Sequence, residues 1–272
     1  MLSNEDAVIA FARQERGNSK NIFHDDDKKL YSRGHHFILA VRLDTGEYLI
    51  NGDTYSSSTS RHTSLCIMYL TPNVIIPFSA LDQVTRDYHM IKLVDRSSDI
   101  YITRTKKDPK TGELVEYKEH RLGAAVIKFE NRYYLSSIDD GARGHGGYFL
   151  VELPERATTV DEAFDMIFPK GLHKSDIFLR QGEFFFRPSG VETRELSPVE
   201  PIEDKNNLTK YFKNAGTGHA HIVTEIRQKD GDIYVRGTIR HPEHKILVLG
   251  KIWHRVYVNR AVRSFSAGGN VD

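Results

Sequence analysis

The sequence predicts a mainly β protein, either all-β or α+β, in which the strands pair antiparallel. Two observations lead to this expectation. Short runs rich in β-branched and aromatic residues recur at close intervals, and turn-forming Pro, Gly, Asn and Asp separate them. Helical patterns are confined to the N terminus and to a segment near residue 160, so helices and strands do not alternate as they do in parallel βαβ folds.

The first expected element is a short helix over residues 3–15. Ser3 can cap it, and Ala7, Val8 and Phe11 form an apolar stripe. From residue 37 the pattern changes to strands. In the N-terminal half we expect them at Phe37–Leu43, Glu47–Ile50, Leu65–Leu70, Val74–Phe78, Asp99–Thr105, Glu113–His120, Ala124–Phe129, Tyr133–Ser137 and Tyr148–Leu153.

One clear helix interrupts the strands. Thr159 and Glu162 form a capping-box pattern, and Pro169 ends the helix. Strands then return at Phe178–Leu179, Phe184–Arg187, Ala220–Arg227, Ile233–Ile239, Ile246–Leu249 and Ile252–Val258. We therefore expect a β-rich N-terminal domain (residues 1–153), a helical linker (154–176) and a β-rich, histidine-containing C-terminal domain (177–272), whose strands could close a small β-barrel.

Composition and charge exclude several classes of protein. The formal net charge is +1, so no global charge attracts nucleic acid or membranes, and the single cysteine, Cys66, excludes an internal disulfide and thiolate-rich metal sites. The first residues lack the basic and apolar stretches of a signal peptide, and no run of about 18 apolar residues is present. We expect a cytoplasmic protein of a bacterial or infected cell, with no membrane partner. The oligomeric state has no signature in the sequence.

Histidines concentrate in residues 219–254, which hold five of the thirteen in the chain. Alternate residues of a strand share one face, so His219, His221 and Glu225 are expected to project from the same side. Two more imidazoles and a carboxylate stand in His241-Pro242-Glu243-His244, where the proline predicts a rim or bend. This bend could bring them to the first pair.

The candidate metal ligands are His219, His221, His241, His244 and His254, and the candidate general bases are Glu225 and Glu243. Imidazole and carboxylate donors suit a divalent transition metal such as Zn, Mn, Fe or Ni. A metal with an open coordination position can activate water. The leading hypothesis is therefore a metal-binding β-domain, in its catalytic form a metal-dependent hydrolase or nuclease, although no motif establishes an enzyme. The alternative for each histidine is an ordinary hydrogen bond at a strand end.

A second hypothesis is a non-catalytic protein that binds single-stranded nucleic acid or another partner. Residues 218–272 hold nine Lys and Arg against five Asp and Glu. Aromatic side chains among basic ones can stack on unpaired bases while the cations meet phosphates. The candidate contacts are Arg236, Arg240, Trp253, Arg255 and Tyr257.

Two resemblances add to these expectations. The order His-x-His-x-x-x-Glu over residues 219–225 resembles the first motif of the cupin superfamily, a small β-barrel whose histidines and glutamate bind one metal. The second cupin motif is represented, at different spacings, by Gly250, His254 and Asn259. In addition, uncharacterised phage, plasmid and bacterial families are similar in the segments Arg180-Gln181-Gly182-Glu183, Thr217-Gly218-His219-Ala220-His221 and His241-Pro242-Glu243-His244. This second resemblance implies a mobile-element or viral setting.

Overall fold

The structure is a computed structural model that describes residues 1–24, 28–53, 56–78, 80–81, 90–108, 111–121, 123–138, 148–199, 221–242, 244–261 and 263–266. Within these ranges the chain forms three α-helices and eighteen strands, and nearly all strand pairs are antiparallel. The predicted mainly β fold is confirmed. Among the described helices, none combines the length and apolar character that crossing a bilayer requires.

The first sheet contains, in spatial order, β1 (Ile22–His24), β2 (Lys29–Ser32), β3 (Ile38–Arg42), β4 (Tyr48–Asn51) and β5 (Asn73–Ile76). Two helices, α1 (Asn4–Arg13) and α2 (Ser57–Tyr69), pack against it. Phe11 of α1 and Cys66 of α2 share a buried cluster with Leu39 and Ile50 of the strands. This layer is stabilised by apolar surface that both helices remove from water.

Helix α2 corrects one prediction, because Leu65–Leu70 was expected to be a strand. The helix begins after Ser56, whose hydroxyl accepts a hydrogen bond from the backbone N–H of Thr59 at 3.2 Å. The Thr59 hydroxyl in turn accepts from the Ser56 backbone N–H at 2.8 Å. This is a capping box with threonine in the place usually held by Glu or Gln.

The second sheet contains, in spatial order, β18 (Arg263–Ser266), β11 (Tyr148–Glu152), β10 (Arg132–Ile138), β9 (Ala125–Phe129) and β6 (Ile91–Arg96). Helix α3 (Val160–Ile167), the predicted linker helix, packs its buried face on this sheet. A separate two-stranded ribbon consists of β7 (Ile100–Lys107) and β8 (Leu114–Arg121). Because β18 pairs with β11, the last described strand joins a sheet of the N-terminal half.

The third sheet contains, in spatial order, β12 (Leu179–Gln181), β13 (Phe184–Pro188), β17 (His244–Val258), β16 (Asp232–His241), β15 (Ile222–Lys229) and β14 (Ser197–Pro198). In the described residues its edges, β12 and β14, do not pair with each other, so the expected closed barrel is not formed. Register shifts interrupt both the β15–β16 and the β16–β17 pairing. Such bulges bend the strands and increase their twist.

The third sheet is strongly curled. Strands β13 and β15 are three places apart in the sheet order, which would separate them by roughly 14 Å in a flat sheet. The ring centroids of Phe184 in β13 and His221 at the start of β15 are nevertheless only 4.8 Å apart. The curl therefore encloses an apolar interior, which includes Phe186, Val235 and Ile239. The open end of this interior, at His221, is called the mouth of the curled sheet.

Candidate metal centre

Three histidines meet at the mouth of the curled sheet. His221 directly precedes β15, His241 ends β16 and His244 begins β17, so one end of each of three adjacent strands supplies an imidazole. The register pairs His241 with His244 across the β16–β17 hairpin. One nitrogen from each of the three rings lies within 4.8 Å of the others, and the described residues hold one such group.

The histidine cluster is packed and largely shielded from water. His221 is 1% exposed and His241 is 5% exposed, while His244 is partly exposed. The rings of His221 and His241 are stacked with centroids 4.3 Å apart, and those of His241 and His244 are 4.7 Å apart. Phe184 meets His221 edge-on. The three imidazoles therefore share one closely packed environment at the ends of adjacent strands.

The cluster dimensions suit a single metal ion after small side-chain rotations. In a tetrahedral site with bonds of about 2.0–2.1 Å, two nitrogens stand roughly 3.3 Å apart. The ligand nitrogens of the cluster are separated by up to 4.8 Å, which exceeds the separation in a tetrahedral site by on the order of 1.5 Å. Closing this gap requires rotation about the side-chain torsions of the three residues.

Among the other predicted site residues, the structure places His254 and Glu225 away from this cluster. His219 and Glu243 lie outside the described residues. His254 lies well along β17 from His244, opposite Val235, and its Nδ1 is 3.1 Å from the Ile252 carbonyl oxygen. Burial lowers the pKa of His254. Its contacts fit the alternative of a backbone hydrogen bond rather than a metal ligand.

Glu225 is paired with an arginine instead of the imidazoles. The Nε and Nη2 atoms of Arg236 donate to its two carboxylate oxygens at 2.8 and 2.7 Å. These hydrogen bonds lower the pKa of Glu225. The guanidinium of Arg236 also lies over the ring of Trp253, with 4.5 Å to the ring centroid. In the described structure Glu225 is thus engaged in a bidentate ion pair, and its role as general base stays a prediction.

We expect Glu225→Gln to leave the metal affinity of the protein unchanged, because the carboxylate serves Arg236 and not the histidine cluster. Weakening of the ion pair should lower the midpoint of thermal unfolding only slightly, since both side chains are partly exposed. Isothermal titration with Zn²⁺ and a melting curve would measure both effects. A large loss of Zn²⁺ affinity in this variant would show that Glu225 contributes to metal binding.

The predicted nucleic-acid contacts are mostly engaged within the fold. Trp253 is 3% exposed, and its indole N–H donates to the Thr193 hydroxyl at 3.0 Å. Tyr257 is also buried, and Arg255 forms an ion pair with Asp232 at 2.5 Å. Arg240 is the exposed member of the predicted set. Trp253 and Tyr257 are therefore largely covered in the described structure, and nucleic-acid binding through this sheet stays a prediction.

Sequence reasoning missed the part of the site that comes from β12 and β13. Phe184 contacts His221, and the turn before it places Gly182 against His244. The positive φ of Gly182, +58°, is the conformation that favours glycine. A glycine between two short strand runs is a signal for this turn, but nothing local indicates that the turn reaches the histidines.

Three kinds of comparison bear on the origin of the chain. No protein-family model matches it, and neither a curated protein nor a solved structure shows a significant match. The resemblances to cupins and to phage and plasmid families therefore stay predictions. The evidence about function comes from the histidine cluster itself.

Proposed function

We propose that the protein binds one divalent transition-metal ion through His221, His241 and His244. The observation that supports this is the convergence of three ligand nitrogens within 4.8 Å at the mouth of the curled sheet. Imidazole suits Zn, Ni and Fe better than Mg or Ca, which prefer oxygen. Bound there, the ion would link the ends of β15, β16 and β17.

The catalytic form of this proposal is hydrolysis by a metal-bound water. Three protein ligands leave a fourth position open, and a metal in such a site lowers the pKa of its bound water. The burial of His221 and His241 favours a small-molecule substrate, because a polymer backbone needs a wider approach. The sequence predicted either a metal-dependent hydrolase or a nuclease, and of these two we therefore propose the hydrolase.

Metal titration tests the proposal directly. Protein purified without a histidine tag and stripped with a chelator should bind close to one equivalent of Zn²⁺. Because the ion binds the folded state, Zn²⁺ at 100 times Kd should add about 2.7 kcal/mol to the free energy of unfolding. Calorimetric titration and thermal unfolding with and without Zn²⁺, Mn²⁺ and Ni²⁺ would measure this. A stripped protein that neither binds nor is stabilised by any of these ions would refute it.

A further inference from the structure

We propose that Gln181 is a positioning residue of the metal centre, whose amide oxygen accepts a hydrogen bond from the imidazole of His244 when the metal is bound. This inference rests on the proposed metal site. It concerns Gln181, the last residue of β12, and the turn of Gly182 and Glu183 that follows it beside the start of β17.

The turn touches His244 directly. A Cβ atom built on Gly182 would lie 2.9 Å from Nε2 of His244 and 3.5 Å from its Cε1. The absence of a side chain at residue 182 is therefore what allows the imidazole to rest against the turn. Because Nε2 faces the turn, we assign metal ligation to Nδ1 of His244.

Gln181 is held beside Lys245, the residue that follows His244. It is 3% exposed, and its Nε2 donates to the carbonyl oxygen of Lys245, the residue after His244, at 2.5 Å. Its Oε1 is buried and has no hydrogen-bond partner within the described structure. Buried acceptors are satisfied in nearly all proteins, so this oxygen requires a donor that the metal-bound state can supply.

Metal binding creates such a donor. An imidazole that binds a metal through one nitrogen carries a proton on the other, and this N–H almost always donates to a carboxylate or carbonyl oxygen. That bond fixes the ring orientation and strengthens the ligand. With Nδ1 on the metal, Nε2–H of His244 faces the turn that directly follows Gln181. The amide oxygen of Gln181 would complete this pair.

The test compares three variants by titration with Co²⁺, whose absorption spectrum reports ligand geometry. Gln181→Leu removes both amide hydrogen bonds, while Gln181→Glu keeps an acceptor and loses the donor to Lys245. The matched control is Gln228→Leu, because Gln228 also donates its Nε2 to a backbone carbonyl of this sheet, that of Pro198 at 3.2 Å. Thermal unfolding of the metal-free variants verifies that each is folded.

We expect Gln181→Leu to weaken Co²⁺ binding about 10- to 100-fold and to change the spectrum. Gln181→Glu should restore most of the affinity, and Gln228→Leu should match the unmodified protein. Equal losses in Gln181→Leu and Gln181→Glu would overturn the proposal, since the Lys245 hydrogen bond would then be the important one. Normal binding by Gln181→Leu would also overturn it and leave the metal centre intact. Failure of the unmodified protein to bind Co²⁺ would instead refute the proposed function.

Discussion

His221→Ala is expected to lower the Zn²⁺ affinity of the protein by more than about 100-fold, since even changes outside the ligand set cost 10- to 100-fold. In the proposed site His221 is one of three ligands, and its side chain is 1% exposed. A competition titration against a chromogenic chelator would measure the change in Kd.

The matched control for this variant is His173→Ala. His173 is exposed in the segment after α3, and it lies outside the cluster of three ligand nitrogens. Removal of the His173 imidazole should leave the Zn²⁺ affinity of the protein unchanged. If His221→Ala bound Zn²⁺ as tightly as His173→Ala does, the cluster would not be the metal site.

Phe186→Ala is expected to lower the free energy of unfolding by about 3–5 kcal/mol. Phe186 is 0% exposed and packs with Val235 and Ile239 inside the curled sheet. Truncation removes the apolar contacts of the ring and leaves a cavity, because the neighbouring strands relax only in part. Urea unfolding followed by the fluorescence of Trp253, on the same sheet, would measure the loss.

Ile177→Ala provides the comparison for Phe186→Ala. Ile177 is 83% exposed, so its truncation should change the free energy of unfolding by less than about 0.5 kcal/mol. A loss below about 1 kcal/mol for Phe186→Ala would mean that the interior of the sheet is not packed as described.

The fold was predictable where local signals are strong. Ser3 caps α1, and Thr159 with Glu162 forms the expected capping box of α3. The turn at Asp230 and Gly231 joins β15 to β16 as a hairpin. Helix α2 was missed, because its N-terminal residues are Ser and Thr, which also favour loops and strands.

The site was predictable in part. His241 and His244 come together because the bend at Pro242 makes them partners across a hairpin. Glu225 does not share the strand face of His221 as expected, because the register shifts between Val223 and Glu225. Opposite this shift, Gly237 has φ +89°, and a Cβ there would lie 2.6 Å from Cβ of Thr224. A bulge of this kind has no regular period, so alternation along a strand does not reveal it.

The pairing of β18 with β11 bears on how the chain can be divided. Cutting the polypeptide between residues 154 and 176, where the helical linker was expected, would take Arg263–Ser266 away from the sheet that this strand completes. The N-terminal fragment would then present the backbone N–H and C=O groups of Tyr148–Glu152 as an open edge. Open edges of this kind recruit strands from other molecules, so self-association of the fragment is the natural consequence. When Arg263–Ser266 is present, it covers the edge of β11 and so disfavours edge-to-edge association of the N-terminal half.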